Sequence, residues 1–210
     1  MINNIFENKL DELYLSGVIK NRLFDKIDKN ETALIVIDMQ NYFLDPTNKA
    51  YFPESNYILN NINYLINYAN KNKIQIIYTI HYNSTNDNNM NKWWKNVPKI
   101  NTKETQIFNK IKYIENSLTI YKETYSAFKN TRLDEYLSKN NLKNLIICGV
   151  KTNLCCETTA RDAFVNNYNV ILMSDATITN NIDLYLASLS NLSYGFSFLF
   201  KTNEINNLFR

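Results

Sequence analysis

The sequence predicts an α/β protein of three layers, a mostly parallel central sheet covered by helices on both faces. Two observations predict it. Near-continuous apolar runs at residues 33–37, 74–80, 145–150 and 169–174 lack the polar alternation of a half-solvated strand, and so read as strands buried on both faces. Between them lie segments whose apolar residues recur at helical spacing, so strands and helices alternate along the chain.

Taken in order, residues 1–31 read as an N-terminal helix and arm, with Leu10, Leu13, Leu15 and Ile19 giving mixed periodicity and Gly17 a stop. Residues 33–37 form a strand that ends in a carboxylate, Asp38. A turn over 39–46 carries Gln40, Asn41 and Phe43, and Ile58, Ile62, Leu65 and Ile66 then mark a helix over 57–69. The strand at 74–80 delivers His81 and Asn83 just beyond its end. Residues 83–112 are polar and irregular, the composition of a binding loop or lid, and contain Trp93 and Trp94, which read as pocket lining, subunit contact or ordinary packing. A short strand at 117–121 leads to Lys122, and an irregular connection over 124–128 enters a helix from about 132 to 139. The strand ending at Val150 passes through a polar turn at 151–153 into a helix with Cys155, Cys156, Thr159, Ala160, Ala163 and Phe164 on its spacing. A strand over 169–174 has Asp175 at its end, a helix covers 182–192, and residues 196–200 and 203–208 read as a last strand and a closing helical turn. No repeat or linker interrupts the pattern, and 210 residues suit a single domain.

Composition excludes several function classes. The net charge of +3 is small and the lysines are scattered among asparagines, so nucleic-acid binding has no footprint. Glycine occurs three times, at Gly17, Gly149 and Gly195, which leaves no glycine-rich nucleotide loop. No apolar run approaches the 18 residues or so that a membrane span needs, and the N-terminus lacks the basic-then-apolar pattern of a secretory signal. Three cysteines within nine positions make a poor disulfide framework, which points to a reducing, cytoplasmic setting.

Asp38, Lys122 and Cys155 each stand at or just past the carboxyl end of a predicted strand. In a parallel sheet those ends share one edge, so three residues distant in sequence can meet. Such a trio makes chemical sense, with a carboxylate to take and return a proton, an ammonium to hold negative charge and a thiol to attack a carbonyl. Placed in the first turn of a helix, Cys155 is expected to have its thiolate favoured and its pKa lowered. On spacing alone, Cys155 and Cys156 also read as small buried packing residues, Asp38 as a cap, and His81 as either a substrate ligand or a satisfied structural histidine.

Three stretches carry a resemblance: Ala33-Leu-Ile-Val-Ile-Asp-Met-Gln-Asn-Tyr-Phe43, Tyr121-Lys-Glu-Thr-Tyr-Ser-Ala-Phe128 and Gly149-Val-Lys-Thr-Asn-Leu-Cys-Cys-Glu-Thr-Thr-Ala-Arg-Asp-Ala163. From about residue 33 to 175 the chain resembles the isochorismatase-like cysteine hydrolases, which include N-carbamoylsarcosine amidase, nicotinamidase and ureidoacrylate amidase. The resemblance implies an Asp-Lys-Cys triad of Asp38, Lys122 and Cys155, with Cys156 a packing residue. It further implies a cis peptide at Val150–Lys151, an oxyanion hole from the N–H groups of Lys151 and Cys155 with Leu154 as a further donor, and assembly as homodimers or homotetramers. Nicotinamidases hold a metal through an Asp-x-His motif and a further histidine. Here the matching stretch is Thr79-Ile80-His81 and there is one histidine in the chain, so no metal and no other cofactor is expected. True isochorismatases, which hydrolyse a vinyl ether without a covalent step, have glycine where this chain has Cys155. The reading that follows is hydrolysis of an amide or ureido C–N bond in a small molecule through a thioester on Cys155. Gln40, Phe43, His81, Asn83 and Tyr125 are the candidates for lining its pocket. A vinyl-ether hydrolase using Asp38 alone, and a non-catalytic binding protein on the same fold, are the alternatives.

Overall fold

A computed structural model describes residues 2–17, 24–84 and 88–210, with side chains from residue 5 onward. After an N-terminal helix α1 (Ile2–Leu15), which stops at Gly17 in a left-handed conformation, the chain enters strand β1 (Thr32–Ile37). Then follow a one-turn helix α2 (Asn41–Leu44), helix α3 (Leu59–Lys71), strand β2 (Gln75–His81), helix α4 (Asn89–Trp94), strand β3 (Leu118–Lys122) and helix α5 (Leu133–Lys139). The second half comprises strand β4 (Asn144–Val150), helix α6 (Glu157–Val165), strand β5 (Asn169–Ile178), helix α7 (Ile182–Gly195) and strand β6 (Phe198–Phe200).

Among the described residues these strands form one six-stranded sheet in the order β3-β2-β1-β4-β5-β6, every pair parallel. The continuous apolar runs are explained by what each face touches. Leu34, Val36, Ile146 and Cys148 enter one core with Ile62, Leu65 and Ile66 of α3. Their sequence neighbours Ala33, Ile35, Leu145 and Ile147 enter the opposite core with Leu133 and Leu137 of α5, Ala160 and Ala163 of α6, and Leu189 and Leu192 of α7. A strand covered on both sides has no solvent face to make polar.

The order also fixes where a ligand can enter. The chain lays down β1, β2 and β3 outward in one direction, then returns to the other side of β1 for β4, β5 and β6. The connections leaving β1 and β4 therefore diverge, opening a crevice beyond their carboxyl ends. Ile37 of β1 pairs with Gly149 of β4 immediately below it.

Two elements differ from expectation. Strand β5 runs on to Ile178, and its register with β4 jumps from Ile147↔Leu172 to Gly149↔Thr177. Asp175 thus lies in the irregular stretch of the strand rather than at its end, and its Oδ1 accepts from the Thr202 N–H (2.8 Å) and hydroxyl (2.6 Å), tying down the closing turn Thr202–Leu208. Cys155 lies not in the first turn of α6 but in a π-helical turn, Thr152–Cys156, that precedes it. None of the described helices is long and apolar enough to cross a membrane.

Candidate active site

Asp38 is the first residue beyond β1 and adopts a left-handed φ of 50°, which turns its side chain across the sheet edge. Thr79 of β2 holds it there. The Asp38 N–H donates to Thr79 Oγ1 (3.1 Å), and the same hydroxyl donates to Asp38 Oδ1 (2.5 Å). Lys122 is the last residue of β3, two strands from β1, and its long stem spans the gap to bring Nζ within 2.7 Å of Asp38 Oδ2. Both side chains are 0% exposed. Nζ also donates to the Thr124 carbonyl at 3.1 Å. Cys155, 4% exposed, comes down from the turn after β4 and lies in hydrogen-bonding reach of both Asp38 and Lys122. The structure thus brings the three residues together at the crevice.

Their electrostatics follow from burial. Desolvation works against the Lys122 charge, but Asp38 and Cys155 outweigh it and raise the lysine pKa. The expected lowering at Cys155 is not found. Burial pushes the thiol well above its ordinary value and the Asp38 carboxylate adds to this, against the opposing pull of Lys122. A cysteine sealed from water beside a carboxylate rests as the thiol, so its activation requires a base at contact distance. Asp38 Oδ2, though beside Lys122, accepts no well-aligned hydrogen bond and keeps a lone pair for that proton.

Above Cys155 lies a small cavity that opens to solvent. Its walls are Tyr42, Phe43, Trp94 and Tyr125, with Met90, Val97 and Leu154 filling the gaps and His81 and Lys151 at its sides. Trp94 Nε1 donates to the Tyr125 hydroxyl at 2.7 Å, closing α4 over the opening. Of the residues expected to line it, Phe43, His81 and Tyr125 do so, whereas Gln40 and Asn83 do not. Gln40 is fully buried and clamps two strand ends, donating to the His81 carbonyl (2.9 Å) and accepting from the His81 N–H (2.7 Å). Asn83 exchanges amide hydrogen bonds with Asn88 (2.8 and 2.7 Å), which seats the start of α4. Tyr42 and Met90 escaped sequence reasoning because α2 and α4 are too short to show a period, and Val97 because it lies in the irregular segment after α4. Trp93, by contrast, is 76% exposed.

The Val150–Lys151 peptide is cis. The turn that follows removes one expected oxyanion donor, since the Leu154 N–H donates to the Lys151 carbonyl at 3.1 Å. A metal does not fit this site. Thr79, at the place of the acidic ligand, turns its hydroxyl to Asp38, and the described residues contain no group of three His, Cys, Asp or Glu side chains able to hold an ion.

His81 is 3% exposed, and its Nδ1 has no hydrogen-bond partner. Burial, followed by the Lys122 charge, lowers its pKa from 6.5 to about 4 against the weaker pull of Asp38. The ring is therefore neutral at physiological pH. Between those two values the unfolded chain holds a proton that the folded one does not, so stability is lost as pH falls from 6.5 to about 4. The loss attributable to this residue is on the order of 3 kcal/mol. Denaturant unfolding of wild type and His81→Gln at pH 7 and pH 4.5 checks it. The wild type is expected to lose more stability than the variant, and parallel losses would refute the assignment.

The model of the isochorismatase domain family matches residues 32–204. Nicotinamidase 3 of Arabidopsis thaliana is 38% identical over 181 residues, 82% of this chain and 86% of that protein. The ureidoacrylate amidohydrolase RutB of Acinetobacter baylyi is 27% identical, over 86% of this chain and 84% of its own length. A solved structure of a cysteine hydrolase from Pseudomonas syringae pv. phaseolicola 1448A superposes with a TM-score of 0.85 at 27% identity, covering 90% of this chain and 97% of that one. A family match over most of the chain, a relative at this identity and a shared fold lead to one conclusion: the protein belongs to the isochorismatase-like hydrolase family.

Proposed function

We propose that this protein hydrolyses the C–N bond of a small amide or ureide through a thioester on Cys155. The observation that carries the reading is the placing of the Asp38–Lys122 pair beside Cys155, which lines a walled cavity. The amide hydrolysis named for its relatives, a nicotinamidase and a ureidoacrylate amidohydrolase, supports it.

Asp38 Oδ2 takes the thiol proton as sulfur attacks the carbonyl carbon. The oxygen that becomes negative is held by the N–H groups of Lys151 and Cys155. Asp38 then passes its proton to the leaving nitrogen, the C–N bond breaks, and ammonia or an amine departs. Water next attacks the thioester and gives Asp38 its proton. The thiolate leaves, recovers that proton, and a carboxylic acid is released. Lys122 holds the carboxylate toward sulfur, while Thr79 fixes the other oxygen. Phe43, His81 and Tyr125 position the acyl group.

The test is ammonia release from a panel of small carboxamides and ureides by wild type and Cys155→Ala. Release that the substitution abolishes is the expected result. Release that survives it would transfer the chemistry to Asp38 alone, as a non-covalent hydrolase requires.

A further inference from the structure

Strand β5 departs from regular pairing just where it passes the crevice. Between the pairs Ile147↔Leu172 and Gly149↔Thr177, β4 advances two residues while β5 advances five. A regular ladder would set Ser174 opposite Gly149, and the extra residues carry Thr177 there instead.

The irregular stretch is held firmly. Asp175 Oδ1 accepts from the N–H and hydroxyl of Thr202, and the Asp175 carbonyl accepts from Asn61 Nδ2 of α3 at 2.7 Å. The Ser174 carbonyl accepts from the Tyr185 hydroxyl of α7 at 2.7 Å. Ser174 Oγ bonds the Tyr14 hydroxyl of α1 (2.9 Å) and donates to the Phe200 carbonyl of β6 (3.2 Å). Six hydrogen bonds to five other elements thus fix two residues whose place in the β4 ladder is lost. Backbone groups taken out of a ladder need such partners.

What the departure delivers is Thr177. It is 1% exposed, and its hydroxyl lies 3.0 Å from Thr152 Oγ1, at the first residue of the π-helical turn that carries Cys155. The thiol of Cys156, the last residue of that turn, is in hydrogen-bonding reach of the same hydroxyl. One hydroxyl can donate to one of these groups and accept from the other. The Leu154 and Cys156 N–H groups both donate to the Lys151 carbonyl (3.1 and 3.2 Å), which closes the turn on itself. Thr177 ties the turn to the sheet. It is not among the residues that line the cavity above Cys155, so it reaches the chemistry through the turn and not through the substrate.

We propose that Thr177 is a positioning residue that seats Cys155 against Asp38, and that the bulge at Ser174 and Asp175 is the mount that carries it there. This inference rests on the proposed hydrolytic site, since it takes Asp38 as the base of Cys155. A reacting group displaced by about 1 Å loses on the order of a hundredfold in rate, so one buried hydroxyl at this place has a large lever.

The experiment is the rate of Cys155 alkylation by iodoacetamide, followed by peptide mapping, in wild type, Thr177→Val, Thr177→Ser and Thr152→Val, each with and without Asp38→Asn. Thermal transitions confirm that each variant is folded. Thr177→Val is expected to slow the labelling about tenfold or more, and Thr177→Ser, which keeps the hydroxyl, to stay within a few-fold of wild type. Thr152→Val removes the other end of the same bond and is expected to match Thr177→Val. With Asp38→Asn the base is already gone, and neither valine is expected to slow the reaction much further. A merely structural role would slow both backgrounds alike. For an amide that the wild type turns over, the loss is expected in kcat, with KM within a few-fold. Labelling does not depend on turnover, so a failure to hydrolyse any amide would sink the hydrolytic reading and leave this result standing. Labelling at or above the wild-type rate in either valine variant overturns the proposal. A serine variant as slow as the valine one, equal slowing with and without Asp38, or a wild-type Cys155 whose labelling is indifferent to Asp38 overturns it as well.

Discussion

Cys155→Ala is expected to lower kcat/KM for amide hydrolysis by about four orders of magnitude or more, the scale seen when the nucleophile of a catalytic unit is removed. The reasoning starts from the resting thiol. Burial and the Asp38 carboxylate keep Cys155 protonated, so sulfur becomes nucleophilic as its proton moves to Asp38 Oδ2. The two residues act as a unit, and Asp38→Asn, which can no longer accept the proton, is expected to cost nearly as much. Combining the substitutions is expected to add little, because either one alone disables the same step. Initial rates of ammonia release for the wild type, the single variants and the double variant check this. Additive losses would mean that the residues act separately.

Gly149→Ala is the substitution expected to damage stability most. Gly149 holds φ at +119°, a conformation that disfavours any side chain, and an added Cβ would fall 2.1 Å from the Ile37 carbonyl oxygen and 2.7 Å from the Ile37 nitrogen. The obstacle is the backbone of the neighbouring strand, which no rotamer change can relieve. Strain at such a backbone conformation costs about 1–3 kcal/mol. Forcing atoms into a packed core costs about 1–3 kcal/mol more. A loss of roughly 2–6 kcal/mol in urea unfolding follows. Ile37 directly precedes Asp38 and Gly149 precedes Val150–Lys151, so the surviving folded protein is also expected to lose activity as the two sides of the crevice are pushed apart. Stability within about 0.5 kcal/mol of wild type would show that β1 and β4 tolerate separation.

What could be read from the chain follows from which interactions are local. Strands β1, β2 and β4 announce themselves because both of their faces are buried, so that a run such as Leu-Ile-Val-Ile has no polar side to turn outward. The carboxyl-end positions of Asp38, Lys122 and Cys155 were legible for the same reason, since a parallel sheet gathers those ends on one edge. The irregularity in β5 was not legible, because the hydrogen bonds that hold Asp175 within it come from Thr202, 27 positions later. The roles of Gln40 and Asn83 were hidden as well. A polar residue beside a strand end looks the same in sequence whether it faces a ligand or, like Gln40, closes hydrogen bonds with the next strand. The Cys155 pKa was misjudged because a helix start argues for the thiolate, whereas burial against Asp38 is a tertiary effect that the local pattern does not carry.

The central claim is that Cys155 is the reactive cysteine and that Asp38 is its base. Cys148 and Cys156 provide internal controls, being fully buried, with thiol pKa values pushed up by desolvation, and not among the residues that line the cavity above Cys155. The measurement is peptide mapping by mass spectrometry after brief treatment with limiting iodoacetamide near neutral pH, on wild type and Asp38→Asn. The account predicts alkylation of Cys155 ahead of the other two, slowed markedly in Asp38→Asn. Labelling spread evenly over the three cysteines, or a Cys155 rate indifferent to Asp38, would contradict it.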